Sequence, residues 1–169
     1  MANSFLNRPS LSRLRRNHAL EHATIHVLSA RQPRTTLVGR SDPRGFYLFG
    51  DASGQAVAEA VQEALARLRA GEQRLAIHPN CGTNLLTAGL LGGTAAFAVL
   101  AGSRNSRSRL DRLPMAVVAT VLGLLVAQPL GLALQRSVTT EADPKGLEII
   151  EVKTWRRGRT TFHRVITAG

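Results

Sequence analysis

The sequence predicts an α+β domain in the order αββαβ…ββ, interrupted by an inserted two-helix transmembrane hairpin. Three observations lead there. Residues 10–30 carry apolar side chains at helical spacing. Short β-forming runs bounded by turn residues follow, and recur at the C-terminal end. Between them lie two uncharged apolar runs of about twenty residues, the length that crosses a bilayer. The expected division is 1–82 for the N-terminal αββαβ part, 83–135 for the hairpin and 136–169 for a closing β-hairpin.

The first helix is expected over residues 10–30, with Ser10 as its cap just after Pro9. Leu11, Leu14, His18, Glu21, Ile25 and Leu28 form a three-four stripe, so His18 and Glu21 fall where core residues belong. A polar group at a core position must be satisfied or functional. Arg13, Arg15 and Arg16 oppose the helix dipole in the first turns and are expected to face solvent or lipid phosphates.

Residues 35–50 predict a β-hairpin, with Ser41-Asp42-Pro43-Arg44-Gly45 as turn chemistry. A helix is expected from Ser53 to Ala70, capped by Asp51 or Ser53 and ended by Gly71. Arg74–His78 is expected to be a short strand, closed by Pro79-Asn80-Cys81-Gly82. The spans are expected at 83–102 and 114–135, with an arginine-rich loop at 103–113. Gly89, Gly92 and Gly93 offer small faces for helix contact, and Pro129 a kink. Leu147–Trp155 and Thr160–Thr167 complete the sheet, because an isolated hairpin is only marginally stable. His163 in the last strand is expected to be structural.

The net charge of +11 calls for an anionic partner, either nucleic acid or lipid headgroups. Aromatic residues are only 4% of the chain, which leaves few platforms for base stacking and argues against nucleic acid. The expected partner is a lipid bilayer with anionic headgroups. A lone cysteine, Cys81, excludes an internal disulfide framework, and no apolar signal segment opens the chain. Eleven basic residues precede the first span and seven follow the second. With that excess on the flanks, both termini are expected on the cytoplasmic side of a bacterial inner membrane, although the loop arginines pull the other way.

Chemistry concentrates in residues 17–26, which hold three of the five histidines and Glu21. Two imidazoles at i and i+4 share a helix face and can hold one Zn²⁺, while a glutamate at i+3 can serve a water as base. His78 and Cys81, in a His-x-x-Cys spacing, each offer a further ligand. Three protein ligands make a catalytic zinc arrangement and four a closed structural one. Cys81 at a helix start can also be a reactive thiolate. His26 extends the helical face by a turn and is expected to be a core or solvated histidine, with an extra ligand as the alternative.

His18-Ala19-Leu20-Glu21-His22 resembles the His-x-x-Glu-His core of the inverzincins, the pitrilysin-like metallopeptidases. The resemblance implies that His18 and His22 are zinc ligands, that Glu21 is the general base, and that the substrate is a peptide or protein. That pattern also has a glutamate ligand on a second helix, for which Glu59 and Glu63 are the candidates here. Residues 16–26 and 78–84 resemble a family of small uncharacterised bacterial integral membrane proteins, and this likeness covers most of the chain. The expected function is therefore a membrane-anchored zinc metallohydrolase, peptidase-like, with a juxtamembrane site. The alternative is a non-catalytic membrane scaffold or assembly factor with a structural metal or a self-satisfied polar cluster. Histidine-ligated haem is a weaker third.

Overall fold

In the computed structural model, which describes Leu6, residues 8–102 and residues 106–169, the chain forms two compact units. One comprises the described residues up to His78 together with Arg136–Gly169, and the other is Pro79–Gln135. The first unit is mixed α+β with a four-stranded antiparallel sheet.

Helix α1 (Pro9–Arg31) is its central element. Proline tolerates the first helical turn because its missing N–H would have had no helical partner there. The helix thus starts one residue earlier than expected, with Arg8 at the cap position, and Ser10 does not cap it. Burial is also broader than one stripe. Ala19, Leu20, Ala23, Val27 and Leu28 are buried, and so are Arg15, Arg16, Asn17, Glu21 and His22. α1 packs against two strands, a second helix and the 73–76 turn, so few of its faces reach water.

The expectation that Arg15 and Arg16 face solvent or lipid is therefore wrong. Arg15 Nε donates to the Val138 carbonyl at 2.7 Å and Nη2 to the Thr140 carbonyl at 3.0 Å. Its Nη1 pairs with Glu141 at 3.2 Å, and the Glu141 N–H returns a bond to the Arg15 carbonyl at 3.1 Å. A guanidinium carries five donors in a fixed fork, so one side chain can bind a whole returning segment. Arg13 likewise donates to the Thr167 carbonyl at 2.9 Å. Asn17 ties α1 to two strands of the sheet, donating to the Asp42 carbonyl of β1 at 2.9 Å and accepting from the Thr167 hydroxyl of β4 at 2.7 Å.

Strands β1 (Leu37–Asp42) and β2 (Gly45–Gly50) form a hairpin about the two-residue turn Pro43-Arg44. Gly45 has φ +138°, a conformation side chains rarely adopt, and any Cβ there would strike the Val165 carbonyl. β3 (Glu148–Arg157) and β4 (Thr160–Ala168) form the second hairpin, and β4 pairs with β2 to give the order β1-β2-β4-β3. The alternation of strand side chains puts Gly39, Ser41, Phe46, Leu48, His163 and Val165 on one face. Phe46, Leu48 and Val165 there are core residues with α1 and α2 (Gly54–Arg69). Ser53 caps α2, accepting from the Ala56 N–H at 3.1 Å, and Val57, Val61, Ala64, Leu65 and Leu68 supply its buried stripe. His163 is fully buried and bonds Thr154 at 2.9 Å across the strand pair.

The strand expected at residues 74–78 is corrected. Gln73–Ala76 is a 3₁₀ turn, after which Ile77 is extended but joins no sheet. The carbonyls of Ala76 and Ile77 bond histidines of α1 instead of a strand neighbour. The order of the first unit is thus αββα…ββ.

The second unit contains α3 (Gly82–Ala101), the short α4 (Ser106–Asp111) and α5 (Leu113–Leu134). α3 and α5 form an antiparallel pair. Gly92 meets Leu124 and Thr120, and a Cβ on Gly123 would lie 2.9 Å from the Leu91 carbonyl, so the backbones touch through glycine. Gly89 and Gly93, expected to share this role, face open space. Gln135 donates to Asn84 at 2.7 Å at one end of the pair, and Arg112 to the Val99 carbonyl at 3.1 Å at the other. Pro129 lies within α5, which continues into a π-type turn, Gln135–Thr139. Both helices are long and apolar enough to cross a membrane, and only 17% and 11% of their most apolar windows are buried. Arg104 of the expected loop lies outside the described residues.

Candidate metal centre

α1 places His18, His22 and His26 at successive turns. The His18 and His22 rings are 4.3 Å apart between centroids, and their ligand nitrogens lie within 4.8 Å of each other. His78, at the end of the segment that runs past α1, brings a fourth ring. Its centroid is 5.7 Å from that of His22 and 4.9 Å from that of His26. His22 is buried, and the other three are half-buried.

The hydrogen bonds of these rings decide their chemistry. His18 Nδ1 lies 2.9 Å from the Thr139 carbonyl and His22 Nδ1 2.7 Å from the Ala76 carbonyl. A carbonyl only accepts, so each Nδ1 carries the proton, and in the neutral ring the lone pair sits on Nε2. This is the outer-shell arrangement that orients histidine ligands in metal sites. His26 has the opposite tautomer, because its Nε2 donates to the Ile77 carbonyl at 2.8 Å. Burial, then the neighbouring His26 and His22 rings, push the His78 imidazole down to about 4, so it is neutral at physiological pH. Neutral imidazole is the form that binds metal.

Glu21 is buried beside this cluster, on the sheet side of α1. Its carboxylate accepts from the Ser41 hydroxyl on β1 and lies over the backbone of Gly39. Burial raises its pKa above the ordinary carboxylate value, and this outweighs the Ser41 hydrogen bond and the nearby His18, which both lower it. A carboxylate with raised affinity for a proton is suited to general acid–base work.

Of the remaining candidates, Glu59 and Glu63 are engaged away from the imidazoles. Glu59 and Glu63 on α2 pair with Arg31 at the far end of α1, and Glu63 also pairs with Arg67. Neither joins the imidazoles, so the second-helix glutamate ligand is not formed by these residues. Cys81 follows His78 by three residues in the chain but belongs to the second unit. There it caps α3, its Sγ accepting from the Thr83 N–H at 3.5 Å. His26, at i, i+4 from His22, is a half-buried histidine held by a backbone carbonyl, as its place on the helical face predicts. The Thr139, Ala76 and Ile77 carbonyls that orient the rings leave no trace in residue type.

A family model described as "Domain of unknown function (DUF6391)" matches residues 13–152. The chain belongs to this family. The DUF6391 match takes in Glu21, all four clustered histidines and both apolar helices, and it ends within β3. An uncharacterized protein of Picosynechococcus sp. is similar, 38% identical over 154 residues that span 83% of this chain and 71% of the relative. No solved structure matches. DUF6391 membership agrees with the whole-chain resemblance in its coarse form, a family of unassigned chemistry.

Proposed function

We propose that the protein is a membrane-anchored zinc hydrolase, peptidase-like, in which His18, His22 and His78 hold the ion and Glu21 moves the proton. The observation that carries this reading is the pair of carbonyl anchors, Thr139 on His18 and Ala76 on His22, which turn the two lone pairs onto Nε2. A self-satisfied core histidine needs one partner and gains nothing from this matching of tautomers. The thiolate of Cys81 is the chemical alternative to His78, on the His-x-x-Cys spacing alone. A zinc ion held there would supply a Lewis acid and a nucleophilic water near neutral pH. Glu21 would accept and return a proton at its carboxylate, while Ser41 and Gly39 hold that carboxylate in one orientation. The mainly exposed α3 and α5 support an anchor in a bacterial inner membrane, since helices of a soluble core would be covered. The net charge of +11 suits anionic headgroups, with both termini cytoplasmic. The inverzincin likeness of residues 18–22 supports a peptide substrate.

The test is hydrolysis of a fluorogenic peptide library by zinc-loaded protein in mild detergent. Glu21→Gln should keep its zinc and lose activity by about 10²-fold or more, the usual weight of a general base. Full activity in that variant removes the catalytic reading.

One observation favours a second reading. His26 stands 4.9 Å from His78, so four imidazoles could close a structural site in a scaffold or assembly factor. In that case His26→Ala would lose metal, and Glu21→Gln would change neither metal content nor function.

A further inference from the structure

A cavity of about 470 Å³ lies in the first unit. It is lined by Arg74, Ala76 and Ile77 from the 73–78 segment and by Arg136, Thr140 and Ala142 from the segment after the π-type turn. Its volume falls within the range of small-ligand sites, about 300–1,000 Å³. The cavity and the imidazole cluster share a wall. Ala76 and Ile77 give the carbonyls that hold His22 and His26, and Thr139, next to Thr140, gives the one that holds His18. Thr140 is itself fixed, because its carbonyl accepts from buried Arg15 at 3.0 Å.

The charges in this cavity are both cationic. Arg74 and Arg136 approach it from two different segments; neither forms a salt bridge among the described residues, while the charge of Arg74 helps to lower the pKa of Glu72, after the hydrogen bond and charge of Arg67. Two guanidinium forks beside the apolar surface of Ala76, Ile77 and Ala142 match a planar or tetrahedral oxyanion next to an apolar side chain.

We propose that this cavity is the substrate-recognition subsite of the metal centre and binds the oxyanion end of the substrate, a peptide's C-terminal carboxylate, between Arg74 and Arg136. The assignment rests on the zinc-hydrolase reading above. It makes the expected cleavage that of a residue near a free C-terminus, because the same two short segments line the cavity and supply the carbonyls that hold the imidazoles. A phosphate monoester offers the same charge, and the experiment separates the two sources.

The experiment uses full-length protein in mild detergent, with and without zinc. Fluorescence anisotropy compares a dansylated Ala-Leu peptide acid with its C-terminal carboxamide. The acid should bind about tenfold or more tightly than the amide, in line with a charge-assisted contact. Arg74→Gln and Arg136→Gln should each erase most of that difference while leaving thermal stability and zinc content unchanged. Equal binding of acid and amide, or an acid preference that survives both substitutions, overturns the proposal. Displacement of the peptide by inorganic phosphate at lower concentration than by acetate overturns the carboxylate assignment in favour of a phosphoryl ligand. An acid preference without bound zinc would leave the subsite standing and remove the metal reading. Bound zinc without the preference would do the reverse.

Discussion

The Glu21 carboxylate packs against the backbone of Gly39 so closely that a Cβ at residue 39 would lie 2.8 Å from Glu21 Cγ and nearer still to the carboxylate. Gly39 sits in the middle of β1, opposite Leu48, where a larger residue would ordinarily strengthen a strand. Its small size leaves room for a buried acid. Gly39→Ala should therefore cost about 1–3 kcal/mol through overpacking. In chemical denaturation, the Glu21→Ala/Gly39→Ala double variant should recover part of that loss, by a coupling of at least about 0.5 kcal/mol. Strict additivity would mean that the two residues do not share the space.

Burial raises the Glu21 pKa from its ordinary 4.5 in the folded protein. A group with a raised folded pKa contributes stability that is fully present below the unfolded value and is lost as pH rises through the folded one. In metal-free protein, the melting temperature of wild type relative to Glu21→Gln should fall as pH increases from about 4.5. A relative melting temperature that rises with pH would show the carboxylate stabilised by a cation in the absence of metal.

Asp42 has the opposite sign. Burial works to raise its carboxyl, but hydrogen bonds from Arg164 and the Arg44 backbone, with the charges of both arginines, leave it below 3.8. This contribution is present above the unfolded pKa and is lost as pH falls through the depressed folded one. Asp42 is partly exposed, so screening limits the Arg164 pair to about 0.5–1 kcal/mol. Asp42→Asn should cost that much at neutral pH in a denaturant titration and nothing at pH 2.

Arg15 holds residues 137–141 onto α1, and those residues include Thr139, the partner of His18. Removing a buried guanidinium strands Glu141 and several carbonyls, at a cost of about 3 kcal/mol or more. Arg15→Ala should therefore unfold at lower denaturant and expose residues 136–146 to proteolysis. Arg15→Lys keeps the charge but loses the fork, and should recover only part of the protection.

Much of the secondary structure was legible because periodicity and punctuation agree. Ser53 and Gly71 bracket α2, Pro43-Arg44-Gly45 turns the first hairpin, and the two apolar runs form long helices. Residues 74–78 misled because Leu75, Ala76 and Ile77 look like a strand core, yet their backbone partners are side chains of α1. Arg15 and Arg16 misled for a related reason. A helix surrounded by other elements buries its charged face too, and residue type does not reveal carbonyls supplied from more than a hundred positions away. At the site, His18, His22 and Glu21 were legible from helical spacing. That His78 would reach His22, and that Glu59 and Glu63 would be taken by Arg31, depended on packing.

The central claim is that His18 and His22 are metal ligands whose tautomers are set by Thr139 and Ala76. Elemental analysis of protein purified in mild detergent without chelator tests it most directly. The account predicts about one zinc per chain in wild type and less than about a tenth in His18→Ala and His22→Ala, with each variant still folded. Wild-type zinc below about a tenth of an equivalent, or equal zinc in wild type and His18→Ala, would contradict it.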